Sequence, residues 1–282
     1  MTLGFPVKDT IWNMMPNRAM AKQLAIRDIP SLVYDAVNLE GVAMSLPEVQ
    51  TILDGITVGG HKISDQNMVI NQAETWKHLL SLIENNKFSF SKDIALELHS
   101  IAGKEEALGW GEFRTGNVTI SGSDYEPPDP KKLDRIWLEM ESEISRIKDV
   151  YDKSSAAFLR MARAQFFWDV NKRMGRFMMN GILLSEGYPI INVPAKRQKE
   201  FNQLMLEFYS SSEMSSMNNF LRSCLNAKVI DDGLVKSQRH QLLEKIGCSE
   251  HRVLKGTRVS NGLMTPKSDC ILHLVDFLRV HH

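Results

Sequence analysis

Residues 165–176 read Gln-Phe-Phe-Trp-Asp-Val-Asn-Lys-Arg-Met-Gly-Arg. Apolar residues precede Asp169, and polar and basic ones follow it at the start of a second helical pattern. The spacing predicts a helix–loop–helix whose first helix ends near Trp168 and whose second begins near Arg173. A helix that opens on Asn171, Lys172, Arg173 and Arg176 offers free N–H groups, a positive dipole end and three cations to one ligand. That outlines a phosphate site. Asp169 beside the cations is either a surface ion pair or a carboxylate that holds Mg²⁺ against phosphate oxygens, since Mg²⁺ commonly takes one or two protein carboxylates in such sites.

Outward from this stretch, apolar residues recur at helical spacing. Ala73, Trp76, Leu79, Leu80 and Ile83 mark one helix, Leu133 to Ile147 another, and Phe201, Leu204, Met205 and Phe208 a third. Ser45-Leu-Pro-Glu48 is a capping box with Pro in the first turn, predicting a helix from about Leu46 to Asp54. Ser91 caps a helix through Ile94, Leu98 and Ile101 that Gly103 ends. Gly109 to Tyr125 alternates between glycines and predicts a β-hairpin with Thr115-Gly116-Asn117 at its tip. Pro127, Pro128 and Pro130 stop it, and a long helix from Asp129 or Pro130 to about Val150 is expected. The fold class is mainly α, with a small β-hairpin flap and a C-terminal appendage.

The chain has 282 residues, with 34 Lys plus Arg against 34 Asp plus Glu. Zero net charge gives no global reason to expect nucleic acid or an anionic membrane as partner. No run is long and apolar enough for a membrane span, and the N-terminus lacks the pattern of a secretory signal, so a cytoplasmic protein is expected. Three cysteines do not make a disulfide framework.

Residues 165–176 resemble the signature of the Fic family, His-x-Phe-x-Asp/Glu-Gly-Asn-Gly-Arg-x-x-Arg. Met178-Met179-Asn180 and Gly187-Tyr188-Pro189 resemble its continuation, and the helix 94–101, the hairpin and the prolines resemble its upstream elements in order. The resemblance covers roughly 90–227. It implies a compact α-helical domain that transfers AMP from ATP to a Ser, Thr or Tyr hydroxyl of a target protein. It also implies that Asp169 binds Mg²⁺, that Asn171, Lys172, Arg173 and Arg176 meet the phosphates, and that Val118, Thr119 and Ile120 form a flap for the target segment. The flap residues could equally cover the core, and Phe166, Phe167 and Trp168 read as core packing before base stacking.

Three positions depart from the signature. Gln165 stands where the family has its histidine, and an amide cannot take a proton near neutral pH, a role worth about 10²- to 10⁴-fold. Transfer is therefore expected to be weak or absent, the alternative being a non-catalytic regulatory protein that binds a nucleotide or a peptide. Val170 and Lys172 replace the two motif glycines, and a β-branched residue adopts positive φ only at a cost.

Ala36-Val-Asn-Leu-Glu40-Gly41 resembles the family's inhibitory helix, with Ala36 in place of its hydroxyl residue. In that reading Glu40 pairs with Arg176 and occupies the γ-phosphate space; otherwise it is a solvated Glu before a Gly cap. The expected organisation is residues 1–89 as an N-terminal helical region with the inhibitory helix at about 31–41, 90–227 as the core domain and 228–282 as an appended subdomain. The last carries two Cys-x-x-His units, Cys248/His251 and Cys270/His273, read as a helix-bound Cys and His before a zinc site, and a basic stretch from Lys236 to Arg252 as the one place for nucleic acid. Oligomeric state is left open.

Overall fold

A computed structural model describes residues 16–225. The expected subdomain at 228–282, with its Cys-x-x-His units, terminal helix and basic stretch, lies outside the described residues.

Nine α-helices are found among the described residues, and α6 with α7 positions the site. Helix α1 (Arg18–Leu39) starts on Asn17, whose side chain accepts the Met20 N–H. Helix α2 (Leu46–Leu53) carries the capping box in full, with Ser45 and Glu48 each accepting the other's backbone N–H. Helices α3 (Ile63–Glu84) and α4 (Lys92–Ala102) follow, α4 capped by Ser91 and closed at Gly103. A 3-10 turn at Pro130–Lys132 leads into α5 (Leu133–Ser145), then α6 (Val150–Ala164) and α7 (Asn171–Ser185). A second short turn at Ala195–Arg197 precedes α8 (Gln198–Ser211) and α9 (Ser215–Ser223).

Helices α6 and α7, joined by six residues, pack on each other more extensively than any other pair, while α1 and α4 flank α3 and α3 also meets α7. Gly175 allows the close approach: a Cβ there would sit 2.8 Å from a ring carbon of Phe158 and 2.9 Å from its carbonyl oxygen. The core runs from Val33 and Val37 through Trp76, Leu79 and Leu98 to Trp137, Phe166, Phe167 and Phe177, all buried.

Three expectations need correction. Helix α5 stops at Ser145, because Asp149 turns its carboxylate to the N–H groups of Tyr151 and Asp152 and starts α6. The helix before the motif ends at Ala164, with Gln165 left-handed at φ 50°, so Phe166 to Val170 form the loop itself and α7 begins at Asn171. The hairpin expected over Gly109–Tyr125 is not paired: no strand occurs among the described residues. The segment's hydrogen bonds go elsewhere. Arg114 N–H donates to Phe166 O at 2.9 Å. Its buried guanidinium donates to the carbonyls of Gln165 (2.6 Å), Gly116 (2.7 Å) and Pro128 (2.5 Å).

Candidate functional site

An open pocket of about 580 Å³ lies over the N-terminus of α7. The sequence-marked residues Gln165, Asp169, Asn171 and Lys172 line it, together with Val118, Thr119 and Ile120 from the connector and Glu40 from the end of α1. Trp168, half-buried, is also at its wall, whereas Phe166 and Phe167 are fully buried core. Arg173 and Arg176 do not line this pocket; their side chains are 3% and 10% exposed. Glu40 meets both.

The contact is a three-cation cage. Glu40 lies 3.5 Å from Arg176, 3.8 Å from Arg173 and 3.6 Å from Lys172. Burial pushes the Glu40 carboxyl up, but Arg173, Lys172 and Arg176 together outweigh it and hold the group below the ordinary Glu range. Burial pulls Arg173 down to about 10, against the attraction of Glu40, so it stays charged at neutral pH.

Several polar side chains fix the end of α1 that carries Glu40. Asp35 accepts the Ala195 N–H at 2.7 Å and the Asn192 amide at 2.5 Å, and Gln198 donates to the Asn38 and Leu39 carbonyls at 2.7 and 3.1 Å. The two Gln198 bonds satisfy last-turn carbonyls that a helix end leaves open.

The loop before α7 is saturated from within. Asn171 accepts the Phe167 N–H at 2.9 Å and donates to Phe167 O at 2.8 Å and to the Gln165 side-chain oxygen at 3.1 Å. The other end of Gln165 donates to Ala162 O at 2.6 Å. Both residues are thus engaged as loop staples. Val170 is left-handed at φ 67° with its side chain 2% exposed, so the strain expected from replacing glycine is present. Lys172 sits inside α7 and has no such demand.

Asp169 is exposed at the pocket wall, and its Oδ1 accepts the Val170 N–H at 2.6 Å. No cluster of three or more His, Cys, Asp or Glu fit for a metal occurs among the described residues. A lone carboxylate fits Mg²⁺ when phosphate oxygens complete the shell.

Sequence reasoning missed three supporting residues. Glu106 meets the Arg173 fork with both oxygens, one contact at 2.9 Å. His99, fully buried, stacks on Phe167 at 3.8 Å, accepts the Gly111 N–H on Nδ1 at 3.1 Å and points Nε2 at Asp169 O, 3.4 Å away. That pattern places its proton on Nε2 and commits both nitrogens. Arg114 holds the loop from the other side. Their roles come from tertiary placement; His99 alone carried a signal, as a polar residue beside Leu98 and Ile101 in a helical apolar pattern.

Residues 89–183 match the model of the Fic/DOC family. That stretch is similar to the Fic/DOC family. Two relatives, each named protein adenylyltransferase Fic, are from Drosophila mojavensis, 25% identical over 198 residues, and Drosophila ananassae, 27% over 199. Each match spans 68% of this chain and 39% of the relative, so the chain accounts for about two-fifths of their length. Among solved structures, Fic-1 from C. elegans superposes with a TM-score of 0.66 at 20% identity, covering 86% of this chain and 71% of that one. A Fic-domain signalling protein from Bacteroides thetaiotaomicron gives 0.65 at 15%, covering 82% and 95%. These superpositions establish the shared helical fold. No helix among the described residues is long and apolar enough to cross a membrane.

Proposed function

We propose that the Fic-like domain binds ATP with its phosphates at the N-terminus of α7, and that its chemistry is AMP transfer to a hydroxyl of a target protein, held shut by Glu40. The observation that carries this reading is the cage itself. Three cations meet one carboxylate beside a pocket of about 580 Å³, in the place a polyphosphate would take once Glu40 moved aside. Arg173 Nε, 3.8 Å from Glu40, and Arg176 Nη1 are buried without a hydrogen-bond partner, so both would be released to an anion once Glu40 moved aside.

Asp169 would hold Mg²⁺ against the phosphates, and the ion would supply charge neutralisation for the departing pyrophosphate. Arg176, Arg173 and Lys172 bind and orient the phosphate chain electrostatically. Val118, Thr119 and Ile120 stand at the pocket wall where a target segment would lie.

Gln165 favours a second reading, a nucleotide-binding protein without turnover. Its amide is bonded at both ends and cannot accept the hydroxyl proton. Calorimetry with ATP and Mg²⁺ separates the steps. Glu40→Gly is expected to bind at least about tenfold tighter than wild type, about 1.4 kcal/mol, and Arg176→Ala in that background to lose the gain. Equal affinities in all three proteins would remove the gate and the nucleotide assignment together. Label from [α-³²P]ATP on protein in Glu40→Gly identifies a transferase; label that requires Gln165→His as well identifies a binder that lost its base.

A further inference from the structure

Arg173 is shared between two carboxylates that approach it on different edges. Its hydrogen bonds among the described residues both go to Glu106, Nη1 to Oε2 at 2.9 Å and Nη2 to Oε1. Glu40 lies 3.8 Å from Nε. A guanidinium is a rigid planar fork, so the end of this fork is spent on Glu106 while its Nε side faces Glu40.

The two acids are held differently. Glu40, at the C-terminal cap of α1, spreads its carboxylate over three cations at 3.5 to 3.8 Å, longer than the about 2.7–2.9 Å of a charge-assisted hydrogen bond. Glu106 stands in the turn after α4. Its own N–H and that of Ala107 donate to Gly103 O at 3.1 and 3.0 Å, and Asn71 of α3 donates to Lys104 O at 2.8 Å. The turn is thus tied to α4 and α3, so withdrawal of Glu40 leaves Glu106 on its fork.

Charge and geometry set the consequence. Lys172, Arg173 and Arg176 are in direct contact with Glu40 and Glu106. With Glu40 gone, one carboxylate still offsets one of the cations, and it occupies the Nη pair through which an arginine grips phosphate bidentately. An arriving polyphosphate meets Arg173 by its Nε side alone. Because the Arg173 side chain is 3% exposed, solvent screens this competition little.

We propose that Glu106 is a second inhibitory carboxylate, a partial block on Arg173 that persists after Glu40 has withdrawn. The role rests on the polyphosphate reading of the site given above and assigns that site two restraints. Glu40 acts across all three cations, and Glu106 acts on Arg173.

Calorimetry with ATP and Mg²⁺ on the full chain tests it, comparing Glu40→Gly with the same variant carrying Glu106→Gln, Arg173→Ala or both. Glutamine keeps one acceptor for the fork and removes the charge. Glu106→Gln is expected to tighten ATP about tenfold over Glu40→Gly alone, and to change nothing once Arg173 is replaced. Unchanged or weaker binding would overturn the proposal, and so would a gain that survives Arg173→Ala, since the carboxylate would then act without the fork. If Glu106→Gln does not fold, Glu106→Asp, one methylene shorter, takes its place with an expected gain of about threefold, and no gain overturns the role. If Glu40→Gly binds no ATP, the nucleotide reading fails by itself, and inorganic triphosphate titrated into the same variants decides Glu106 by the same comparison. Binding of triphosphate by none of them overturns both.

Discussion

The two halves of the stretch 165–176 differ in what their side chains have left to give. In Gln165–Val170 the polar groups are mostly spent inside the protein: Gln165 on Ala162 and Asn171, the Gln165 and Phe166 carbonyls on Arg114, and the Asp169 carbonyl facing His99. In Asn171–Arg176 three cations share Glu40, and two guanidinium nitrogens still lack a hydrogen bond. The first half behaves as scaffold and the second as a charged receptor. Capacity for chemistry is read from unspent hydrogen bonds and unbalanced charge, and proximity to the motif does not supply it.

The sharpest way to break the comparison is to remove the scaffold's largest support. Arg114→Ala leaves the carbonyls of Gln165, Gly116 and Pro128 without their buried donor, a loss expected to cost about 3–5 kcal/mol in chemical denaturation. Arg114→Lys should recover part of it through a single bond. A variant as stable as wild type would show that the connector, and with it the pocket wall at Val118–Ile120, holds its place without this residue.

Acid separates the halves. His99 belongs to the scaffold, and burial depresses it to about 4, with the Asp169 carbonyl opposing and Arg173 adding to the shift. The unfolded chain takes up that proton near 6.5. Stability from His99 is therefore complete above about 6.5 and drains away as pH falls toward 4, on the order of 2–3 kcal/mol in all. Glu40 belongs to the receptor and is held below its ordinary 4.5. Its contribution is present above that value and is lost only as pH falls through the lower folded value. Urea midpoints measured from pH 7.5 to 3.5 should thus show two windows, with His99→Asn flattening the upper one and leaving the lower.

Elements whose determinants are local were legible in the sequence: the capping box of α2, the Ser91 cap of α4 and the cations at the start of α7 all sit where their spacing puts them. Boundaries and partners were not. Phe166 and Phe167 continue the apolar pattern of α6, yet the chain leaves the helix at Gln165, because Arg114 and Asn171 bond the loop backbone from outside it. The connector alternates like a hairpin, but Arg114 ties it to other parts of the chain, its N–H to Phe166 O and its guanidinium to Gln165 O and Pro128 O. Glu106 carries no local signature. Only the packing of the segment after α4 against α7 brings it to Arg173.

The finest test of the scaffold is Val170. Its left-handed backbone penalises any residue with a Cβ by about 1–2 kcal/mol, while its buried side chain contributes about 2 kcal/mol of packing. Val170→Gly gives up the packing and relieves the backbone, so its net effect should stay within about 1 kcal/mol of wild type. Val170→Ala loses most of the packing and keeps the penalty. Glycine should therefore be the more stable of the two by about 1 kcal/mol, the reverse of the order at ordinary positions. Paired denaturation curves decide it. If alanine proves the better substitute, the loop relaxes out of the left-handed region at no cost, and the first half of the motif is a looser scaffold than its hydrogen bonds imply.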